Sequence, residues 1–357
     1  MRVYNFAPGP AMLPGEVMEK AREEFLDYAG TGMSVVELSH RSKDYEAVVE
    51  RTEALLREVM GIPDNYKVIF VQGGATMQFS AVPMNLRRNG KADYVDSGNF
   101  ARLALEEARK FVDVHVAASS REDKYVHVPE LDPRGFDPDA DYFHFTTNNT
   151  IYGTCFPSLP DTGNVPLIAD MSSNILSQPY DVTKFGLIYA GAQKNLASAG
   201  MAVVILREDL LERCSDQLPV LIDYRTYVKS KSLYNTPPSF TIYLAMLTLE
   251  RLRSLGGVPA VYERNQKKAR HIYEFLDRSR AFRPLADKAS RSLMNVTFAL
   301  PDEELNDRFV KEAAKSGLTN LKGHRVAGGM RASIYNAMPL EGAQALVEFM
   351  SDFEKKL

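Results

Sequence analysis

The stretch "LIYAGAQKNLASAGMAVVIL", residues 187–206, decides how this chain is read. It opens on an apolar run, Leu187, Ile188 and Tyr189, and closes on another, Met201 to Leu206. Both runs have the length and residue types of buried strands. Between them stands one lysine, Lys194, among Gly191, Ala192, Ala197, Ser198, Ala199 and Gly200. A lysine in a short loop is most often simply solvated. Here the small neighbours leave room for something bulky to approach. A lysine amine kept neutral by its surroundings is also the side chain that forms a Schiff base with a carbonyl.

The rest of the chain limits what such a lysine could serve. With 357 residues there is enough length for a large core and two domains. Hydrophobic residues make up 45% and charged residues 25%, ordinary for a soluble globular protein. The formal charge is −3 and no long basic block occurs, which argues against nucleic acid as a partner. No apolar run approaches the roughly 18 residues that cross a membrane. The opening "MRVYNFAPGPAMLPGEV" lacks the apolar core of a signal peptide. Cys155 and Cys214 form no disulfide framework and no metal spacing. A cytoplasmic location is the expectation.

Strand and helix patterns alternate outward from Lys194. Pro8, Pro10 and Pro14 make the first fifteen residues an irregular arm. Helical spacing predicts helices over 16–29 and 43–60, joined by a connection that carries His40 and Arg41. "YKVIFVQGGATMQ" reads as a strand, a Gly73–Gly74 turn and a helix start at Ala75. Further strands are expected in "KADYVDS", "VDVHVAAS", "DYFHFTTNN", "VPLIADMSS", "GLIYAG" and "MAVVIL", with a helix over 99–110. This is an α/β domain with a mostly parallel or mixed sheet. Beyond about residue 240 the texture changes to helices over 240–255, 259–278, 302–315 and 340–353, with strands in 291–300 and 329–335. A smaller α+β domain is expected there. The expected division is a large domain over 16–259 and a small one over 260–357, with the arm 1–15 assigned to the small domain although its composition suits either.

Four features could carry chemistry, each with a plainer reading beside it. Asp170 ends "VPLIAD", where a parallel strand delivers its last residue to the ligand-binding edge of the sheet. It could equally cap a turn before Ser172 and Ser173. A carboxylate there could hold a pyridine nitrogen protonated, the protein's part in pyridoxal phosphate chemistry. The "QGGATMQ" turn offers Ala75 and Thr76 N–H groups to an anion, though glycine turns before helices are common and no P-loop lysine is present. His40, Arg41, His324, Arg325 and Arg331 sit among small residues, and an arginine fork suits carboxylate or phosphate, while most arginines are plain surface. "YNTPPSF" holds Asn235 and Thr236 rigid before two prolines. His115, His127 and the cysteines offer no metal set, and the carboxylates of 122–141 read as a solvated loop.

At these residues the chain resembles the phosphoserine aminotransferase family, fold-type I pyridoxal-phosphate enzymes of class V. The resemblance rests on "NFAPGPAMLP", "SHRSKDY", "PMNL", "ADYVDSG", "ADMSSNILS", "YAGAQKNL", "YNTPPSF" and "GHRVAGGMRASIYNAMP", spread over residues 5–339. It implies a large domain with a seven-stranded, mostly parallel sheet between helices and a smaller C-terminal α+β domain. It implies one pyridoxal 5'-phosphate per subunit, in Schiff base to Lys194, with Asp170 on the pyridine nitrogen. Thr150 would lie near the ring hydroxyl, and Gln193 and the backbone of Ala75 and Thr76 by the phosphate. Asn235 and Thr236 would reach that phosphate from the second subunit of a homodimer. Arg331 would hold the substrate carboxylate. His40 and Arg41 from the partner, with His324 and Arg325, would receive the substrate's phosphate or the distal carboxylate of L-glutamate. The implied reaction exchanges an amino group between L-glutamate and 3-phosphohydroxypyruvate, giving O-phospho-L-serine and 2-oxoglutarate in serine biosynthesis. It leaves room for phosphohydroxythreonine of pyridoxine biosynthesis as a second substrate. Two positions depart from the pattern. Phe100 stands where many members have a stacking tryptophan, and Thr76 where some have an arginine. Same-fold aminotransferases acting on alanine, glyoxylate or serine are the nearest rival, and an idle binding dimer is a rival of another class.

Overall fold

A computed structural model describes residues 2–215 and 217–357. Its strands are β1 (Tyr4–Asn5), β2 (Tyr66–Gln72), β3 (Lys91–Asp96), β4 (Asp113–Ser119), β5 (Phe143–Thr146), β6 (Asn148–Asn149), β7 (Thr154–Cys155), β8 (Leu167–Asp170), β9 (Leu187–Gly191), β10 (Met201–Arg207), β11 (Arg283–Pro284), β12 (Asn295–Ala299), β13 (Leu318–Thr319) and β14 (Met330–Ser333). Its α-helices are α1 (Gly15–Glu23), α2 (Lys43–Met60), α3 (Ala75–Leu86), α4 (Asn99–Ala108), α5 (Tyr224–Lys229), α6 (Ser239–Ser254), α7 (Gly257–Leu276), α8 (Glu303–Lys315) and α9 (Leu340–Glu354).

Seven strands form the main sheet in the order β2-β10-β9-β8-β5-β3-β4. Only β10 runs antiparallel to its neighbours. The apolar runs that flank Lys194 are therefore adjacent strands in the middle of the molecule. Side chains alternate across them with the two-residue period of a strand. Val203 and Ile205 join one core with α2 and α6, while Ala202, Val204 and Leu206 join the other with α3, α4 and α5. Burial on both faces explains why these strands read as unbroken apolar runs.

A third core gathers Phe6, Ile272, Phe282, Phe298, Phe309, Met330 and Phe353 around the three-stranded sheet β11-β12-β14. The chain is thus an α/β fold with a large, mostly parallel sheet followed by a smaller α+β unit. The arm touches both parts. β1 pairs with β13 in parallel, and Phe6 is in the third core. Further on, the Ala11 N–H donates to the Gln193 carbonyl at 2.9 Å.

Two expectations need correction. The helix expected over 16–29 ends at Glu23. Ala29 then takes a positive φ of 51°, and Phe25 and Tyr28 turn to meet Phe240 and Tyr243 edge-on. Tertiary aromatic packing overrides helical spacing there. The carboxylates of 122–141 are not uniformly solvated either. Asp141 is buried and accepts from the N–H groups of Arg88, Asn89 and Gly90, closing the turn before β3. No helix among the described residues is long and apolar enough to cross a membrane.

Gly153 shows how tightly the two parts meet. It turns at φ +73° between β6 and β7, and an added Cβ would stand 2.7 Å from both the Asn295 carbonyl and the Thr297 hydroxyl of β12. Gly153→Ala should destabilise the protein by about 1–3 kcal/mol, read as a lower urea midpoint at unchanged m-value. An unshifted midpoint would mean that this contact yields without cost.

Candidate active site

Strand ends set the site. Asp170 is the last residue of β8, and Lys194 lies three residues past the end of β9. Both therefore sit at the carboxyl edge of the parallel strands, where open α/β sheets bind ligands. Asp170 is buried, and its Oδ1 accepts the Ser172 N–H at 2.8 Å. The turn-capping reading and the functional one thus describe the same carboxylate. Burial pushes its pKa up, against the opposing pull of the Ser172 donors, Lys194 and Tyr189.

Lys194 Nζ donates to the Thr150 hydroxyl at 2.8 Å and stands 5.5 Å from the centre of the Phe100 ring. Desolvation pulls its pKa down to about 8, with Arg331 adding to the fall and Asp170 opposing it. A substantial fraction of the amine is neutral near pH 8. Gly9 of the arm packs against the lysine loop, where a Cβ would stand in ordinary contact with Lys194 Cγ at 3.5 Å and Gln193 Cγ at 3.4 Å.

Thr150 also joins Lys194 to the smaller unit, because Arg331 Nη1 donates to its carbonyl at 3.3 Å. Arg331 is buried on β14, yet its Nε has no partner. Desolvation, then Arg331 and Arg325, lower the pKa of His324, so the imidazole and the two guanidinium groups stand near one another. The loop that carries them is closed by Gly323, where a Cβ would come within 2.1 Å of the Gly328 carbonyl. Arg325 is exposed and has no hydrogen bond or ion pair among the described residues.

At the start of α3, Gly74 supplies no capping side chain, and the Ala75 and Thr76 N–H groups have no acceptor among the described residues. Gly73 N–H ties this turn to the Gly200 carbonyl, on the far side of the Lys194 loop, at 3.1 Å. The buried Oε1 of Gln193 is also unpartnered. The open helix start and the lysine loop are thus held together.

Four expected residues fall elsewhere. His40 Nδ1 is 3.1 Å from the Thr236 hydroxyl, and Gln72 Nε2 donates to Asn235 Oδ1 and the Thr236 carbonyl. His40 and Arg41 line a cavity of about 420 Å³ with Lys229 and Lys231, and Lys194 does not line it. No hydrogen bond among the described residues joins this group to Lys194, Asp170 or Arg331. One chain therefore carries two clusters.

Sequence reading missed Tyr189, Ser172 and Asn195. Ser172 Oγ accepts from the Gly191 N–H at 3.1 Å, and Asn195 bonds the Ile175 carbonyl and the Asn336 N–H. For Ser172 and Asn195 the available signal was their nearness in sequence to Asp170 and Lys194; Tyr189 reaches Asp170 only through strand pairing. No group of three or more His, Cys, Asp or Glu side chains able to hold a metal occurs among the described residues.

A lysine and a carboxylate at adjacent strand ends, facing an open helix start, form the pattern of a fold-type I transferase. The class-V aminotransferase family model matches residues 3–346, and the chain belongs to that family. Within it the chain belongs to the phosphoserine aminotransferases. It is 54% identical to the phosphoserine aminotransferase of Geobacillus kaustophilus over 357 residues, covering 99% of each. The solved phosphoserine aminotransferase of Bacillus circulans subsp. alkalophilus superposes with a TM-score of 0.96 at 50% identity, covering 99% of both chains. The pyridoxal-phosphate-bound enzyme of Trichomonas vaginalis superposes with a TM-score of 0.94 at 38% identity, covering 98% of this chain and 100% of that one.

A depressed amine should show itself directly. In cofactor-free protein, acetic anhydride labelling followed by peptide mass mapping should modify Lys194 at a rate that levels off above pH about 8. A rate still climbing beyond pH about 10, as for an ordinary lysine, would contradict the depressed value.

Proposed function

We propose that this chain transfers an amino group reversibly between L-glutamate and 3-phosphohydroxypyruvate, giving O-phospho-L-serine and 2-oxoglutarate. The observation that carries the proposal is Lys194, an amine depressed to about 8 beside a buried carboxylate, with an unpaired arginine nitrogen across the cleft. Pyridoxal phosphate suits this set. The amine can hold its aldehyde carbon, Asp170 its ring nitrogen, and Phe100 its ring face. The free Ala75 and Thr76 N–H groups and Gln193 suit its phosphate. When bound, the group supplies an electrophilic carbon and an aromatic electron sink.

The protein's own residues do the rest. Lys194 would hold the cofactor by its amine, and as a neutral amine Nζ is the base placed to move the substrate's α-proton. The Thr150 hydroxyl, which accepts from Nζ, orients that amine. Asp170, when ionised, would keep a proton on the ring nitrogen. Arg331 suits the substrate α-carboxylate through its planar fork. His324 and Arg325 suit a second anion.

Two clusters in one chain support a homodimer in which the partner subunit's His40, Arg41, Asn235 and Thr236 complete each site. Exposed Phe25, Leu26, Met33 and Val36, near His40 in sequence, fit such an interface. We also take residues 16–259 as one domain, and 1–15 with 260–357 as the other, because the third core closes on itself with Phe6 included. The lack of an apolar membrane span and the two free cysteines suit a cytoplasmic setting.

Titration of the holoenzyme with O-phospho-L-serine should convert an absorbance band at about 410 nm to one at about 330 nm. Indifference to phosphoserine with a response to alanine would keep the fold and reject the substrate. Alanine should react with a kcat/KM at least about a hundredfold lower, because a neutral side chain offers no anion to His324 and Arg325. Arg325→Ala should raise KM for O-phospho-L-serine about tenfold or more while leaving alanine turnover unchanged. Equal losses on both substrates would remove Arg325 from the phosphate site.

A further inference from the structure

A buried file of polar groups runs inward from Asp170, and the mechanism above uses only its outer end. Asp170, Tyr189 and His144 lie on β8, β9 and β5, three neighbours of the main sheet. Asp170 is paired with Tyr189 across β8 and β9, and His144 with Ile168 across β5 and β8. Strand alternation turns Ile168, Asp170, Tyr189 and His144 to the same face, under α3 and α4. Tyr189 is fully buried, stands beside Asp170 across the β8–β9 pairing, and its hydroxyl interacts with the Asp170 carboxylate. The same hydroxyl is 2.9 Å from His144 Nε2. The imidazole stacks on Tyr94, ring centres 4.6 Å apart and planes 21° from parallel. The Tyr94 hydroxyl in turn lies 2.9 Å from that of Tyr142.

The proton positions follow from counting. Burial pushes the His144 pKa down to about 3, so the ring is neutral and carries one N–H. With Asp170 ionised, the carboxylate only accepts, so the single hydroxyl proton of Tyr189 turns toward it. Tyr189 oxygen then accepts from His144, which places the imidazole proton on Nε2. Nδ1 is left as a bare lone pair, with no hydrogen-bond partner among the described residues. The opposite tautomer would bury an N–H without an acceptor, the costlier arrangement.

We propose that His144 and Tyr189 are positioning residues for the reaction, His144 turning the Tyr189 hydroxyl toward Asp170 so that this carboxylate is kept ionised in a dry site and holds the ring-nitrogen proton of the cofactor. The inference rests on the function proposed above. Asp170 needs such help, because its own burial favours the neutral carboxyl, which holds that proton poorly. The other groups facing the file are Lys194 on Asp170, and Tyr94 and Tyr224 on Tyr189. The tyrosines stay neutral because burial raises all of them, so none competes for the proton near neutral pH.

Tyr189→Phe removes the donor to Asp170 and keeps the ring. His144→Phe keeps the stack on Tyr94 and removes the Nε2 donor. His144→Gln restores a donor at the position of Nε2. Each variant holoenzyme is titrated with pH while the visible absorbance of the bound cofactor is followed, and cofactor release is measured on dilution. Tyr189→Phe and His144→Phe should each move the titration midpoint by more than about 0.5 pH unit and speed cofactor release, while His144→Gln stays near wild type. With O-phospho-L-serine, kcat should fall about tenfold in the two Phe variants at nearly constant KM. Wild-type midpoints in both Phe variants, with only thermal stability changed, would overturn the inference. A wild-type protein that takes up no cofactor would instead overturn the function on which it rests.

Discussion

The structure depends on one unfavourable pairing, a lysine amine and a carboxylate both held away from water at the end of a sheet. Neither would be placed there for stability, because desolvation penalises both charges. The fold meets that cost by moving each group toward its neutral form, the amine down to about 8 and the carboxyl upward. Strand β8 is buried on both faces, so Asp170 cannot swing into solvent without opening the core, and Lys194 sits half-buried on the loop after the equally buried β9. The surrounding details answer to the same constraint. Thr150 gives the amine an acceptor, Ser172 gives the carboxylate an N–H donor, and Gly191 leaves room for the Gln193 amide.

Holding that pair is not enough, since Arg331 belongs to a different core. A second polar network fastens the two. Asn195, next to Lys194, accepts from the Asn336 N–H, and Asn336 Nδ2 donates to the Leu176 carbonyl. Asn265 bonds Asn336 and the Ser177 carbonyl, while Lys268 Nζ donates to the carbonyls of Ile334 and Tyr335. These asparagines satisfy the irregular backbone on both sides of the joint, including Leu176 at a positive φ of 63°. Lys268 is buried, and desolvation lowers its pKa to about 7 from 10.5. Between those values the unfolded chain binds the extra proton, so this residue's contribution to stability improves as pH rises from about 7 to 10.5. A buried lysine here costs stability near neutrality, and the joint keeps it because two carbonyls need its donors.

How much could be read beforehand followed from where each residue stands. Lys194 and Asp170 were legible because each ends an apolar run, and a polar residue at that place stands out. The glycine turn before Ala75 was legible for the same reason. Tyr189 and His144 were not, since aromatic and half-polar residues inside a buried strand look like core, and only pairing across three strands shows them in file. Asp141 looked like one more loop carboxylate, because the three N–H donors of residues 88–90 leave no trace in local sequence. The separation of His40 and Thr236 from Lys194 also needed three dimensions. Family resemblance named those residues, and a single chain brings them to each other rather than to the lysine.

That separation bears on specificity. A cation that serves a phosphate must stay unpaired until the phosphate arrives, yet an unpaired cation in a closed pocket is costly. The chain divides the burden. Arg331 is buried with one nitrogen free and one resting on the Thr150 carbonyl, a weak contact at 3.3 Å that a carboxylate can replace. Arg325 and Arg41 stay exposed, where water solvates them at little cost, and they close on an anion only when a site is assembled around it. Burial of the first and exposure of the others match the order of need. The α-carboxylate is common to every substrate and can be met by a preformed group. The distal anion distinguishes substrates, and groups that pay their desolvation only on its arrival give the greater discrimination.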